Sequence, residues 1–171
     1  RFQDAEEDTL GHLNFVCRRG ETTAIIGGTG SGKSTIASLI LRFHDVTDGA
    51  VCLNGADIRG MTQHCLRDHL AYVQQKAWLF SGTIASNLRY SNKNATETEL
   101  MHAVDVAQAG DFVRSLPDGL NSFVAQGGTN FSGGQKQRLS IARAVVKKPE
   151  LYIFDDSFSA LDFKTDAALR K

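Results

Sequence analysis

Gly27-Gly28-Thr29-Gly30-Ser31-Gly32-Lys33-Ser34 is the most telling stretch of this chain. The stretch fits GxxxxGK[ST], and its neighbours give it meaning. Before it, Thr22 to Ile26 is a β-branched and apolar run that reads as a strand. After it, Lys33 to Phe43 places Ile36, Leu39, Ile40 and Phe43 on one helical face. Strand, glycine loop and helix in that order suit a triphosphate. Consecutive backbone N–H groups can wrap dense negative charge only where the chain lacks bulky Cβ atoms and can adopt positive φ. The helix that follows points its positive end at the phosphates. Lys33 reaches the β- and γ-phosphates, and the Ser34 hydroxyl is placed for Mg²⁺.

Further along, Leu13 to Cys17 reads as another strand, separated from Thr22 to Ile26 by Gly20. Ala50 to Leu53 is a short strand, and Asn54-Gly55 is a turn signal. Leu70 to Gln74 is a strand candidate. The region from Trp78 to Asp118 changes character: Glu97, Leu100, Val104 and Ala107 have helical spacing, Thr96 is a cap, and Pro117-Asp118-Gly119 is a turn. Gly133 to Lys148 is helical again. The pattern predicts an α/β fold with a mainly parallel sheet, its chemistry at the C-terminal ends of the strands.

Leu151-Tyr152-Ile153-Phe154-Asp155-Asp156 is an apolar strand running into two carboxylates. A desolvated carboxylate needs a cation or hydrogen-bond donors, so the pair reads as the metal-holding end of the site. Asp155 suits the role of holding Mg²⁺, directly or through water.

Composition narrows the class. The 171 residues are enough for one domain with a core. The 19 basic and 19 acidic side chains cancel, so the basic footprint of a nucleic-acid binder is missing. Cys17, Cys52 and Cys65 are scattered without CxxC spacing and read as reduced thiols in a cytosolic protein. No signal peptide or membrane-length apolar run is present, and the sequons at Asn94 and Asn130 read as chance matches. The sequence starts at Arg1 without Met and stops at Lys171 in a helical-looking stretch, so a fragment of a longer protein is expected.

Together the glycine loop and the acidic strand end, Walker A and Walker B, indicate a P-loop NTPase. The stretch Asn130-Phe131-Ser132-Gly133-Gly134-Gln135-Lys136-Gln137-Arg138 is narrower. It resembles the LSGGQ signature of the ABC transporter ATP-binding cassettes and lies just before the Walker B strand, as in that family. Gln75 resembles the Q-loop glutamine, Ser159-Ala160-Leu161-Asp162 resembles the D-loop, and Phe2 stands where the family has an adenine-stacking Tyr. Leu79-Phe80-Ser81-Gly82-Thr83-Ile84 looks like exporters of the multidrug and lipid type, in which this region meets coupling helices of the membrane domains.

The resemblance implies a single nucleotide-binding domain over 1–171, truncated before the switch His. It implies a RecA-like core, an antiparallel β subdomain on the N-terminal side and an inserted helical subdomain at about 77–140. It implies ATP and Mg²⁺ as ligands, held by Phe2, Gly27, Gly28, Thr29, Gly30, Ser31, Gly32, Lys33, Ser34, Thr35, Gln75 and Asp162. Ser132, Gly133, Gly134 and Gln135 would bind the γ-phosphate of ATP on a partner cassette, in a head-to-tail dimer. Ser34, Gln75 and Asp155 would serve the metal; Asp156, Gln75 and Lys33 would be catalytic. Transmembrane domains in the same full-length chain would hold the cassette on the cytoplasmic face of the plasma membrane.

Three positions depart from the family pattern. The general base is usually Glu directly after the Walker B Asp, and here it is Asp156, one methylene shorter. Gln126 stands where many exporters carry Glu, and Phe131 replaces the usual Leu. An altered base beside an intact signature resembles the degenerate half of a bacterial heterodimeric exporter, slow at its own site and completing the competent site of its partner. Two alternatives stay open: a soluble ABC ATPase acting on DNA or ribosomes, against which the neutral charge argues, and a nucleotide-binding regulator without useful turnover.

Overall fold

A computed structural model describes residues 9–159, 161 and 165, and the chain divides into two compact units, Arg1–Leu70 and Ala71–Lys171. No helix among the described residues is long and apolar enough to cross a membrane.

In the first unit, α1 (Lys33–Ile40) follows the glycine loop and buries Ile36 and Ala37. It stops three residues before the expected end at Phe43. Phe43 N donates to Ser38 O at 2.9 Å and Arg42 N to Leu39 O at 3.1 Å, with Arg42 at φ 51°: a Schellman stop. A non-glycine residue holds this left-handed position because its guanidinium is anchored. Nη1 donates to the carbonyls of Ile58 (3.0 Å) and Met61 (2.7 Å), and Nε to Asp45 (2.9 Å).

β1 (Cys52–Leu53) and β2 (Ala56–Asp57) form an antiparallel hairpin with Leu53 opposite Ala56. Asn54 and Gly55, at φ 51° and 81°, make the two-residue turn that their sequence announces. Next comes α2 (Gln63–Asp68), capped by the Thr62 hydroxyl.

Two expected strands are not strands. The runs 13–17 and 22–26 carry no ladder, and Ile26 is 93% exposed. A strand exists only through a paired neighbour, and the main-chain bond this stretch makes within itself is the turn from Glu21 N to Arg18 O at 3.0 Å.

The second unit is built round helices. β3 (Leu70–Val73) pairs with the strand that ends the unit, described below; β4 (Gly82–Thr83) pairs antiparallel with a partner at 123–124. Between them and that partner run α3 (Ile84–Arg89), α4 (Glu97–Val106) and α5 (Gly110–Ser115), then β5 (Phe123–Val124). The chain closes with α6 (Gly133–Lys147) and β6 (Leu151–Phe154), the partner of β3. Helices α3 and α4 both pack on α6. Leu79, Ile84, Leu88, Leu100, Val104 and Leu139 fill the shared core at no more than 1% exposure. Truncating any one of them leaves a cavity, typically worth ~2–5 kcal/mol.

Capping boxes start α3 at Thr83/Ser86, α4 at Thr96/Glu99 and α6 at Ser132/Gln135. The α4 box is also an ion pair: Glu99 Oε1 accepts from Lys148 Nζ at 2.7 Å, tying the start of α4 to the end of α6. Lys148, and then the Thr96 donors, hold the Glu99 carboxyl at about 2, below its ordinary 4.5. A lowered carboxyl stabilises the fold fully above pH 4.5, and that contribution fades as pH falls towards 2. Both partners lie at the surface, so salt screens the effect. At low ionic strength the native chain should therefore decline in thermal midpoint below pH 4.5, and the Glu99→Gln variant should lose part of that decline. In 1 M salt the two acid profiles should converge.

Candidate nucleotide site

The glycine loop lies in the first unit. Gly32 caps α1 at φ 87°, where no side chain offers a cap hydrogen bond to the helix. An added Cβ there would come within 2.5 Å of Leu10 as well as being strained. The first turn of α1, carrying Lys33, Ser34 and Thr35, thus opens with main-chain N–H groups aimed out of the helix end. Lys33 curls over the loop: Nζ donates to Gly27 O and Gly28 O, both at 2.7 Å, and to Ser31 Oγ at 3.4 Å. The ammonium sits at the mouth of the loop, where phosphate oxygens would replace the carbonyls as its acceptors. Behind it, Ser38 Oγ bonds Ser34 O at 2.9 Å and Ser31 N bonds Gly28 O at 3.3 Å.

The acidic pair lies in the second unit. The apolar β6 strand leaves Tyr152 and Phe154 exposed on alternate positions; among the described residues its ladder is with β3 alone. Its end is clamped onto β3. Asp155 N donates to Val73 O at 3.0 Å, and the fully buried Ser157 donates from Oγ to the same carbonyl at 2.6 Å.

Each carboxylate then takes a donor from one short segment. Tyr72 Oη donates to Asp155 Oδ2 at 3.0 Å, and Gln75 Nε2 donates to Asp156 Oδ2 at 2.8 Å. Burial first, then the bond to Asp155, pushes the Tyr72 phenol up to about 12, so it stays a donor at neutral pH. Asp156 sits at φ 47°, a left-handed conformation that Asp tolerates better than most residues. Ser159 holds the turn by donating from Oγ to Asp156 O at 2.9 Å.

The signature residues open α6. Ser132 Oγ accepts from Gln135 N at 3.2 Å, while Gln135 Oε1 accepts from Ser132 N at 2.9 Å. Gly133 and Gly134 occupy the first turn, and a Cβ on Gly133 would meet nothing within 4 Å, so backbone there can approach an anion closely. Asn130 braces the approach, accepting from Ala125 N and donating to Phe123 O, both at 2.9 Å. Phe131 packs on the core and meets the Phe112 ring edge-on. Gln126 accepts from Ser81 N at 3.3 Å.

Three polar residues of this unit escape a reading of the sequence. Tyr72 is one. Gln137, 1% exposed on α6, donates to Gln74 O at 3.1 Å and so links the signature helix to the residue before Gln75. Asn87, also buried, exchanges both hydrogen bonds with Phe80 at 2.8 Å. A polar residue in an otherwise apolar helical stripe is the one local signal each of these helix residues gives. Phe2 and Asp162 lie outside the described residues.

Comparison with known proteins points to one family. The family model described as ABC transporter matches residues 10–159. An uncharacterized ABC transporter ATP-binding protein of Mycobacterium tuberculosis is 51% identical over 169 residues, 97% of this chain and 29% of that protein. The ATP-dependent lipid A-core flippase of Vibrio cholerae is 40% identical over 170 residues, 99% of this chain and 29% of the flippase. Among solved structures, a bacterial Atm1-family ABC exporter with ATP bound superposes with a TM-score of 0.80 at 41% identity, covering 83% of this chain and 25% of the exporter chain.

Proposed function

The chain belongs to the ABC transporter family, with the mixed α/β P-loop NTPase fold of its ATP-binding domains, and from that premise we propose that it powers substrate export by binding and hydrolysing ATP. The chain spans 29% of the length of the first relatives, so the transporter around it belongs to the proposal. One observation carries the reading: Lys33 closes over a glycine loop at the bare N-terminus of α1, the arrangement a triphosphate needs. In this reading Phe2 stacks on adenine, and Gly27 to Thr35 cradle the phosphates. Residues at about 77–140 act as a helical subdomain within one cassette. Ser132 to Gln135 address the γ-phosphate of ATP on a second cassette. Transmembrane domains of the full-length chain place the assembly on the cytoplasmic face of the plasma membrane.

The donor set suits Mg²⁺. No group of three His, Cys, Asp or Glu able to cage an ion occurs among the described residues. Mg²⁺ is served by one or two oxygen ligands beside substrate phosphates, and Ser34 and Asp155 are such donors, with the Gln75 amide as a third. When bound there, the ion would offset charge on the phosphate oxygens. Asp156 accepts the proton of a water that attacks the γ-phosphorus, and the β–γ bridging oxygen leaves with ADP. Gln75 orients the Asp156 carboxylate through its 2.8 Å bond. Lys33 neutralises charge on the phosphoryl group being transferred.

Asp156 in place of Glu, beside an intact Ser132-Gly133-Gly134-Gln135, favours the degenerate half of a heterodimeric exporter. The test is ATP turnover by the full-length protein, alone and co-purified with a partner half-transporter. Turnover that rises more than about 10-fold with the partner supports the heterodimer. Brisk turnover alone, abolished by Asp156→Ala, overturns it and makes the chain a homodimeric exporter subunit.

A further inference from the structure

Asp155 is fixed more tightly than its place after a two-stranded ladder requires. Its own N–H and the Ser157 hydroxyl both grip Val73 O, at 3.0 and 2.6 Å, so the main chain cannot swing. The carboxylate turns about a torsion that is broad for an aspartate. The Tyr72 hydroxyl, donating to Oδ2 at 3.0 Å, restrains that rotation at one oxygen.

We propose that Tyr72 is a positioning residue for Mg²⁺-ATP: it pins one oxygen of Asp155 so that the carboxylate meets the metal in a fixed orientation. The inference rests on the reading of Asp155 as the metal-serving carboxylate. A phenol suits this task chemically. It donates a directed hydrogen bond from a rigid ring, while leaving the negative charge that draws the cation. A Lys or Arg in its place would cancel that charge and compete with the ion. The same segment treats the adjacent carboxylate alike, since Gln75 grips Asp156 with another neutral donor. One four-residue stretch therefore gives each acid a neutral donor. Groups that orient a metal ligand from behind commonly govern metal affinity about as strongly as weak ligands do.

The experiment uses the intact protein and a fluorescent ATP analogue. Binding is titrated with Mg²⁺ and repeated in EDTA, for the native protein, Tyr72→Phe and Asp155→Asn, with thermal unfolding as a check on folding. Tyr72→Phe removes only the hydroxyl. We expect it to raise the half-saturating Mg²⁺ about 10-fold while affinity in EDTA and the thermal midpoint stay put. Equal weakening with and without Mg²⁺ would mean a general packing role and overturn the proposal. So would an unchanged Mg²⁺ midpoint in Tyr72→Phe beside a raised one in Asp155→Asn, an outcome that leaves the Asp155 reading intact. If Asp155→Asn leaves the Mg²⁺ midpoint unmoved, the reading of Asp155 falls and the proposal falls with it.

Discussion

Lys33→Met should lower ATP turnover by about 10²–10³-fold, the scale seen when one fixed donor to a developing charge is removed. Methionine keeps the apolar stem of the side chain and removes only the ammonium. Among the described residues that ammonium bonds to the loop carbonyls of Gly27 and Gly28 and the Ser31 hydroxyl, and to no carboxylate. Its loss should therefore weaken nucleotide binding and turnover far more than folding, with stability changing by about 0.5 kcal/mol. Lys33→Arg should rescue little, because a planar guanidinium does not fit where a compact point charge folds over a tight loop. Steady-state turnover, ATP affinity and thermal midpoint separate these effects. A Lys33→Met protein that turns over ATP within a few-fold of the native rate would remove the loop from the chemistry.

For Asp156→Glu we expect a gain in turnover of about 10-fold or more at the chain's own site, with Asp156→Asn falling below the native rate. A displacement of about 1 Å at a reacting group can cost about 10²-fold, and the missing methylene is of that size. The backbone sets an opposing condition. Asp156 stands at φ 47°, where Asp is tolerated and the longer, unbranched Glu less so. The gained methylene should thus bring a loss of about 1 kcal/mol in stability, or ~2–4 °C in thermal midpoint for a domain of this size. Faster chemistry with a softer fold is the expected signature. An Asp156→Glu protein no faster than an already brisk native enzyme would show that Asp156 reaches its water as it stands, with Gln75 aiming it.

Much of the site was legible because its signals are local. The glycine loop, Thr96 before α4, Asn54-Gly55 between β1 and β2, and Ser132 before α6 each announce a structure within a few residues of themselves. The bonds that aim the carboxylates are of another kind. Tyr72 and Asp155 are 83 positions apart, Gln137 and Gln74 are 63 apart, and nothing near either end reveals its partner. The same physics explains the runs at 13–17 and 22–26. Their apolar, β-branched residues are strand-prone, but propensity supplies no ladder, and the structure forms none there. Helix α1 ended early for a reason held elsewhere in the chain, the carbonyls at Ile58 and Met61 that anchor Arg42.

Trp78 is the one indole in the sequence. It is half exposed, and its ring lies 3.3 Å from where a Cβ on Gly127 would sit, in the turn that leads to Ser132. Its carbonyl accepts from Arg143 on α6 at 3.1 Å. An excited indole is sensitive to its surroundings, and this one is half exposed beside the turn that precedes the signature. Emission colour and quenching by a soluble agent therefore report, without any attached dye, on how that turn and α6 are packed.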